Sequence, residues 1–372
     1  MDAEPTRILF EKYPGLRETL PHVALGTLPT PVQRLDALEE TLGPNAPRLY
    51  VKRDDCSGAL YGGNKVRKLE FLLAHALREG YREVLTFGGA GSNHALATAL
   101  YAKELGLRGI SMLVPQPNAH SVRRNLLMEL RAGAEVHLHA GILTTAAATL
   151  LDLFRRRFRT GRFPYLIPPG GSSARGLIGF VNAGLELARQ VEEGLLPPPD
   201  HVYAASGTMG TVTGLTLGLQ AAGLHDTQVA AVRVTDAQFN SVRIARRLFQ
   251  KTNTLLRDAD PAFPRFDFPY DRFSIRHEFF GEEYGLYTPE AMRAVRMFRD
   301  ATGINLEGTY TGKTLAALLA DTEAGTLANK TVVFWNTYHS AGVQDAVNGL
   351  DYHALPKPFH RYFEEDVQPL DQ

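Results

Sequence analysis

The 372-residue sequence predicts an α/β fold in which twisted, mostly parallel sheets are covered by helices. Two observations carry that prediction. From Asp55 onward, short apolar runs alternate with longer stretches whose apolar residues recur every three to four positions, the alternation that builds parallel sheets with helices on both faces. Glycine and small polar residues gather in the links from strand to helix, where such sheets bind their ligands. The length allows two lobes with separate cores. Forty acidic and forty basic side chains balance, so neither nucleic acid nor an anionic membrane is expected as a partner.

In chain order, residues 1–48 form a leading segment rich in proline and polar residues that packs on a core made elsewhere. Leu49–Arg53 is strand-like, and a helix over Lys68–Arg78 places Leu69, Leu72, Leu73, Ala76 and Leu77 on one face. Strands are then expected at Val84–Phe87, Ile110–Val114, Glu135–Leu138 and Tyr165–Ile167. Helices are expected over Ala95–Leu105, His120–Ala132, Leu143–Arg159 and Arg175–Val191. After the proline-rich turn at 196–200 come strands His201–Ala205, Gln228–Val234 and Thr331–Trp335. Residues 251–275 lack periodicity and read as a loop insertion.

Val202–Leu224 carries no charge and is nominally long enough to span a bilayer. Its glycines and hydroxyl residues instead indicate a strand, a loop and a buried helix. The single cysteine, Cys56, excludes an internal disulfide and a cysteine-based metal cluster. It reads as a small packed residue in a protein of a reducing compartment. The N-terminus shows no basic region followed by an apolar one, so no signal peptide is expected and the cytoplasm is the expected location.

Four loops carry candidate chemistry. In Gly62-Gly63-Asn64-Lys65, two glycines bring the backbone close to a partner, and Lys65 stands at the junction with a helix. A buried lysine there has a lowered pKa, can form a Schiff base with an aldehyde cofactor and can shuttle a proton; for an isolated motif of this kind a solvated lysine is the ordinary outcome. In Gly88–His94, Ser92 and Asn93 can cap a helix whose N-terminus suits a carboxylate or phenolate. In Ala205-Ser206-Gly207-Thr208-Met209-Gly210-Thr211, small residues leave a nest of backbone N–H groups fit for a phosphate. In Thr309–Thr314, Gly308 and Gly312 are separated by three residues where a nucleotide-binding P-loop needs four, which excludes ATP. A phosphate nest, an anion-binding helix end and a junction lysine together indicate pyridoxal 5'-phosphate, with no metal site.

These residues resemble a family. Lys52-Arg53-Asp54-Asp55, Gly62-Gly63-Asn64-Lys65, Arg67-Lys68-Leu69-Glu70, Ser92-Asn93-His94, Pro169-Gly170-Gly171-Ser172 and Tyr310-Thr311-Gly312-Lys313 follow the order and spacing of the D-cysteine desulfhydrase and aminocyclopropane-carboxylate deaminase family. The likeness runs from about residue 25 to 340. It implies the tryptophan-synthase-β fold (fold type II of pyridoxal-phosphate enzymes). We expect a large cofactor domain from residues 1–67 and 172–372 and a small domain from 68–171. It implies that Lys65 holds the cofactor and then takes the Cα proton, that Asn93 bonds the phenolic oxygen, and that Ser92, Asn93 and His94 receive the substrate carboxylate. Ser206, Gly207, Thr208, Met209, Gly210 and Thr211 would hold the phosphate, with Tyr284 and Tyr310 lining the substrate pocket.

Within that family the cyclopropane-opening deaminases carry a glutamate after the pocket tyrosine; this chain has Thr311, as the desulfhydrases do. A neutral partner leaves the pyridine nitrogen a weaker electron sink, which suffices for β-elimination. The resemblance therefore implies conversion of D-cysteine to pyruvate, sulfide and ammonia by a homodimer. Where the family has His-Thr-Gly-Gly, this chain has Asn336-Thr337-Tyr338-His339-Ser340. Thr337, or Ser340 if the loop is longer, would face the pyridine nitrogen. Elimination, replacement or deamination of another small amino acid stays open, as does a cofactor-binding protein without turnover. A dinucleotide dehydrogenase is disfavoured by the missing Gly-x-Gly-x-x-Gly.

Overall fold

The chain runs through two short helices, α1 (Ile8–Lys12) and α2 (Gly15–Thr19), to strand β1 (Val32–Arg34), helix α3 (Asp36–Leu42) and strand β2 (Arg48–Lys52). After α4 (Lys65–Arg78) come β3 (Glu83–Gly89), α5 (Asn93–Glu104), β4 (Arg108–Val114), α6 (His120–Ala132), β5 (Glu135–Leu138), α7 (Ile142–Thr160) and β6 (Tyr165–Leu166). Next are α8 (Ala174–Glu192), β7 (His201–Ser206), α9 (Gly210–Ala222), β8 (Gln228–Arg233), α10 (Val242–Ala259) and β9 (Phe273–Arg276). Then follow α11 (Pro289–Thr302), α12 (Thr311–Glu323), β10 (Thr331–Trp335) and, in the tail, α13 (Arg361–Glu364). This computed structural model describes residues 7–339 and 346–372.

Two units emerge. The larger takes in the described residues up to Phe71 and from Ser172 to His339; the smaller takes in Leu72–Gly171 and the described tail. The larger has a six-stranded sheet ordered β1-β2-β10-β7-β8-β9, in which only the β1–β2 pair is antiparallel. The smaller has a four-stranded parallel sheet ordered β5-β4-β3-β6. Each sheet has one point where the strand order reverses: between β7 and β10 in the larger, between β3 and β6 in the smaller. Ligands of α/β sheets bind beyond the carboxyl ends of the strands at such points. The 206–211 loop leaves one of them and the 88–94 loop the other.

Helix α9 is buried from Gly210 through Leu219, which accounts for the uncharged segment. It packs on α8 through glycines, since a Cβ on Gly184 would come within 2.6 Å of the backbone of Gly218. No helix among the described residues is long and apolar enough to cross a membrane.

Three expectations need correction. Residues 251–259 are not loop but the second half of α10. Its inward positions Ala245, Phe249, Thr252, Asn253 and Leu256 include two polar residues that hide the periodicity; Asn253 is satisfied by the carbonyl of Pro264 (2.9 Å) and the N–H of Phe266 (3.1 Å). Cys56 is exposed rather than packed, and partial burial with the Asp55 carboxylate pushes its thiol up, away from thiolate reactivity. The tail groups with the smaller unit, not the larger. Asn118 donates to the carbonyls of Tyr362 and Glu365, both at 2.9 Å, and Arg123 donates to that of Tyr362 at 2.7 Å.

Candidate active site

Helix α4 begins at Lys65, three residues earlier than its apolar periodicity suggested, so the lysine occupies the first helical turn. The loop before it is pinned on several sides. The N–H of Gly62 donates to His339 Nδ1 (2.8 Å), that of Gly63 to the Asp54 carbonyl (2.8 Å) and that of Asn64 to the Thr337 carbonyl (3.1 Å). Asn64 Nδ2 reaches Thr211 Oγ1 at 2.9 Å. Gly63 sits at φ +92°, and a Cβ there would come within 2.8 Å of the Thr337 carbonyl oxygen, so glycine is required by conformation and by space. The Lys65 side chain keeps partial solvent access, yet the surrounding protein pushes its ammonium from 10.5 down to about 8. No carboxylate contributes to that shift.

One turn on, Lys68 is buried and held well below its ordinary value, first by burial and then by Lys65. Its Nζ lies 2.8 Å from where a Cβ on Gly210 would be, and Ser172 Oγ crowds the same point. Ser172 in turn shares a 2.7 Å hydrogen bond with Thr208. Met209, at φ +63°, turns the chain into α9; a left-handed methionine is uncommon enough to mark a functional site. The cradle therefore consists of the first turn of α9, two hydroxyls and a buried ammonium, a donor set suited to phosphate. Ser206 differs from its neighbours: its hydroxyl donates to Asn240 Oδ1 at 2.7 Å.

Tyr310 precedes α12 and shares a 2.6 Å hydroxyl–hydroxyl bond with Tyr284. Burial pushes Tyr284 up to about 12, despite the bond from Tyr310, and raises Tyr310 further, with help from Tyr284, Glu307 and Tyr61. Tyr310 also lies beside Gly207, where a Cβ would be 3.8 Å from its ring. Tyr61 packs on His339 with ring centroids 4.4 Å apart. Thr337 is buried, and Ser340 lies outside the described residues. The larger unit thus brings Lys65, Thr208–Thr211, Tyr284, Tyr310 and Thr337 into one continuous set of contacts.

Lys68 and Glu307 lacked a stated role in the sequence reading. Lys68 is three positions from Lys65, hence on the same helical face, a signal the sequence did contain. The Glu307 carboxylate accepts the N–H groups of Thr309 (2.8 Å), Tyr310 (2.6 Å) and Thr311 (2.9 Å), fixing the turn that carries Tyr310. The Thr311 hydroxyl accepts from the Glu307 N–H at 3.0 Å.

In the smaller unit, Ser92 caps α5, its Oγ accepting from the Ala95 N–H at 3.2 Å. Asn93 is the first helical residue rather than a cap, and its Oδ1 accepts from Asn125 at 2.8 Å. His94 is buried.

Residues 23–337 match the family model described as pyridoxal-phosphate dependent enzyme. The chain is 34% identical over 309 residues to a D-cysteine desulfhydrase of Salmonella schwarzengrund, covering 80% of this chain and 88% of that one. It is 33% identical over 306 residues to a D-cysteine desulfhydrase of Yersinia pestis, covering 81% and 88%. The crystal structure of an ACC deaminase homologue superposes with a TM-score of 0.74 at 30% identity, over 92% of this chain and 98% of that one. A buried lysine beside a phosphate-sized cradle is the chemistry those proteins share, and the chain belongs to the family of pyridoxal-phosphate-dependent enzymes.

Proposed function

We propose that the protein catalyses β-elimination from a small amino acid, D-cysteine first, releasing sulfide, pyruvate and ammonia. The observation that carries this is Lys65, a lysine at a helix start whose ammonium is destabilised by burial without a carboxylate to compensate. When bound, pyridoxal 5'-phosphate supplies an aldehyde for amines and a ring that draws electrons from the bond being broken. Lys65 Nζ, with its value near 8, takes the Cα proton close to neutral pH. Cleavage of Cβ–S then releases sulfide, and one water converts the three-carbon remainder into pyruvate and ammonia.

We assign the phosphate to Lys68, Thr208 and the backbone from Gly207 to Thr211, with Ser206 supporting through Asn240. Thr337 is assigned to the pyridine nitrogen. Asn93 is assigned to the phenolic oxygen, and Ser92, Asn93 and His94, at the N-terminus of α5, to a carboxylate. Tyr284 and Tyr310 line the substrate side, poised by their mutual hydrogen bond. Desulfhydrase relatives support D-cysteine, as does the neutral Thr311. Division into a large cofactor domain and a small one, a homodimeric assembly and a cytoplasmic location complete the proposal.

One observation favours a different small amino acid: Tyr338 and His339 stand where the resemblance implies glycines, and His339 packs on Tyr61 against Gly62. The test is the visible absorption of the cofactor-loaded protein before and after D-cysteine. A shifted band with pyruvate and sulfide supports the proposal. An unmoved band, with turnover of another amino acid from a panel, overturns the substrate.

A further inference from the structure

Helix α7 is built inside out. Its inward face is polar: Thr145, Thr149 and Arg156 are buried, and Arg156 pairs with Asp152, with Glu83 (2.9 Å) and with Glu135. Its outward face is apolar. Ile142, Leu143, Leu150, Leu151, Phe154 and Phe158 are between 57% and 87% exposed. At roughly 200 Å² per large apolar side chain, these six present on the order of 700 Å² to solvent, close to the ~800 Å² per partner of a standard protein interface. A patch of that size is unusual on a protein that stays monomeric.

The order of side chains along this face names its occupant. Leu143, Ala147, Leu150, Phe154 and Phe158 recur at intervals of four, three, four and four, the spacing of a helix–helix seam. The stripe is also self-complementary when reversed. If a second copy lies antiparallel with its centre between positions 150 and 151, Leu143 faces Phe158, Ala147 faces Phe154 and Leu150 faces Leu151. Each small or medium residue then meets a large one, as close packing of two helices favours. A twofold axis requires this of a shared face, whereas a lipid surface or an unrelated partner does not. We propose that α7 pairs antiparallel with α7 of a second copy of this chain, about an axis between Leu150 and Leu151. This deepens the homodimer reading above by naming the face.

The test uses sedimentation of the full-length, cofactor-loaded protein. Phe154→Glu and Leu150→Glu, both at exposed positions, should halve the number of chains per particle and leave the circular dichroism spectrum unchanged. In a Cys56→Ser background, Leu150→Cys beside the axis should form an intermolecular disulfide under mild oxidation. Leu143→Cys, at one end, should not cross-link to itself, but should cross-link when mixed with Phe158→Cys. Assemblies that survive both glutamates overturn the face while keeping a dimer; a monomeric wild type overturns face and dimer alike. Monomeric protein that co-sediments with phosphatidylserine vesicles, and loses this with Phe154→Glu, assigns the face to a membrane and also overturns the proposal.

Discussion

The two faces of the first turns of α4 treat buried charge in opposite ways. Arg67 lies about 200° round the helix from Lys65 and is saturated. It donates to Asp54 at 2.7 and 2.9 Å and to Glu186 at 2.9 and 3.0 Å. Lys52 Nζ donates to Glu186 at 2.6 Å and Trp335 Nε1 to Asp54 at 2.8 Å. Burial alone would weaken the Arg67 and Glu186 charges, but these partners hold the guanidinium above its ordinary range and the carboxylate below its own. Glu70 behaves likewise, pairing with Arg7 and accepting the N–H groups of Leu25 (3.1 Å) and Gly26 (3.0 Å). On the other face, Lys65 and Lys68 are destabilised as cations. One face spends its charges on holding the loop that carries Lys65; the other leaves its amines ready for an anion and a proton.

Each prediction sharpens or breaks that contrast. Lys65→Ala should abolish turnover, by ~10³-fold or more, and remove the cofactor's visible band, while the cofactor-free protein unfolds no more readily in urea. A loss of stability matching the loss of activity would break the contrast. Arg67→Met should do the reverse in order of cause. It strands Asp54 and Glu186 and should cost about 3–5 kcal/mol in a denaturant titration, activity falling only as folded protein is lost. Lys68→Met should weaken cofactor retention by roughly 10- to 100-fold, the worth of one charge-assisted hydrogen bond, with little change in cofactor-free stability.

The pH dependence follows from Lys65. Its folded value near 8 lies below the ordinary 10.5, so between those values the unfolded chain binds the extra proton. Its penalty is therefore fully present below pH 8 and relieved as pH rises towards 10.5. The stability difference between the cofactor-free wild type and Lys65→Met should shrink across that window; a flat difference would mean Lys65 is not desolvated. The smallest effect is expected at Ser92→Ala, which removes a helix cap for about 1 kcal/mol, read by thermal unfolding of the cofactor-free protein.

What the sequence by itself determined is what neighbouring residues encode. Strand and helix periods place β4, α6, β5 and β10 within two residues, because apolar spacing of two or 3.6 is a property of consecutive positions. Glycines beside Lys65 and small residues after β7 mark close backbone approaches, and these too are local. Tertiary structure decided the rest. Asp54 and Glu186 lie 13 and 119 residues from Arg67, and no local spacing announces that they will saturate it. Glu307 takes its role from the turn it closes, and Cys56 its exposure from where the 54–56 turn ends. The polar residues buried on α10 hid its second half, and the tail's position depends on backbone carbonyls accepting from Asn118 and Arg123. The inverted face of α7 could be named only once the sheet showed which side was already covered. Burial depends on which distant elements return to cover a surface, and periodicity reports that a face exists without saying what meets it.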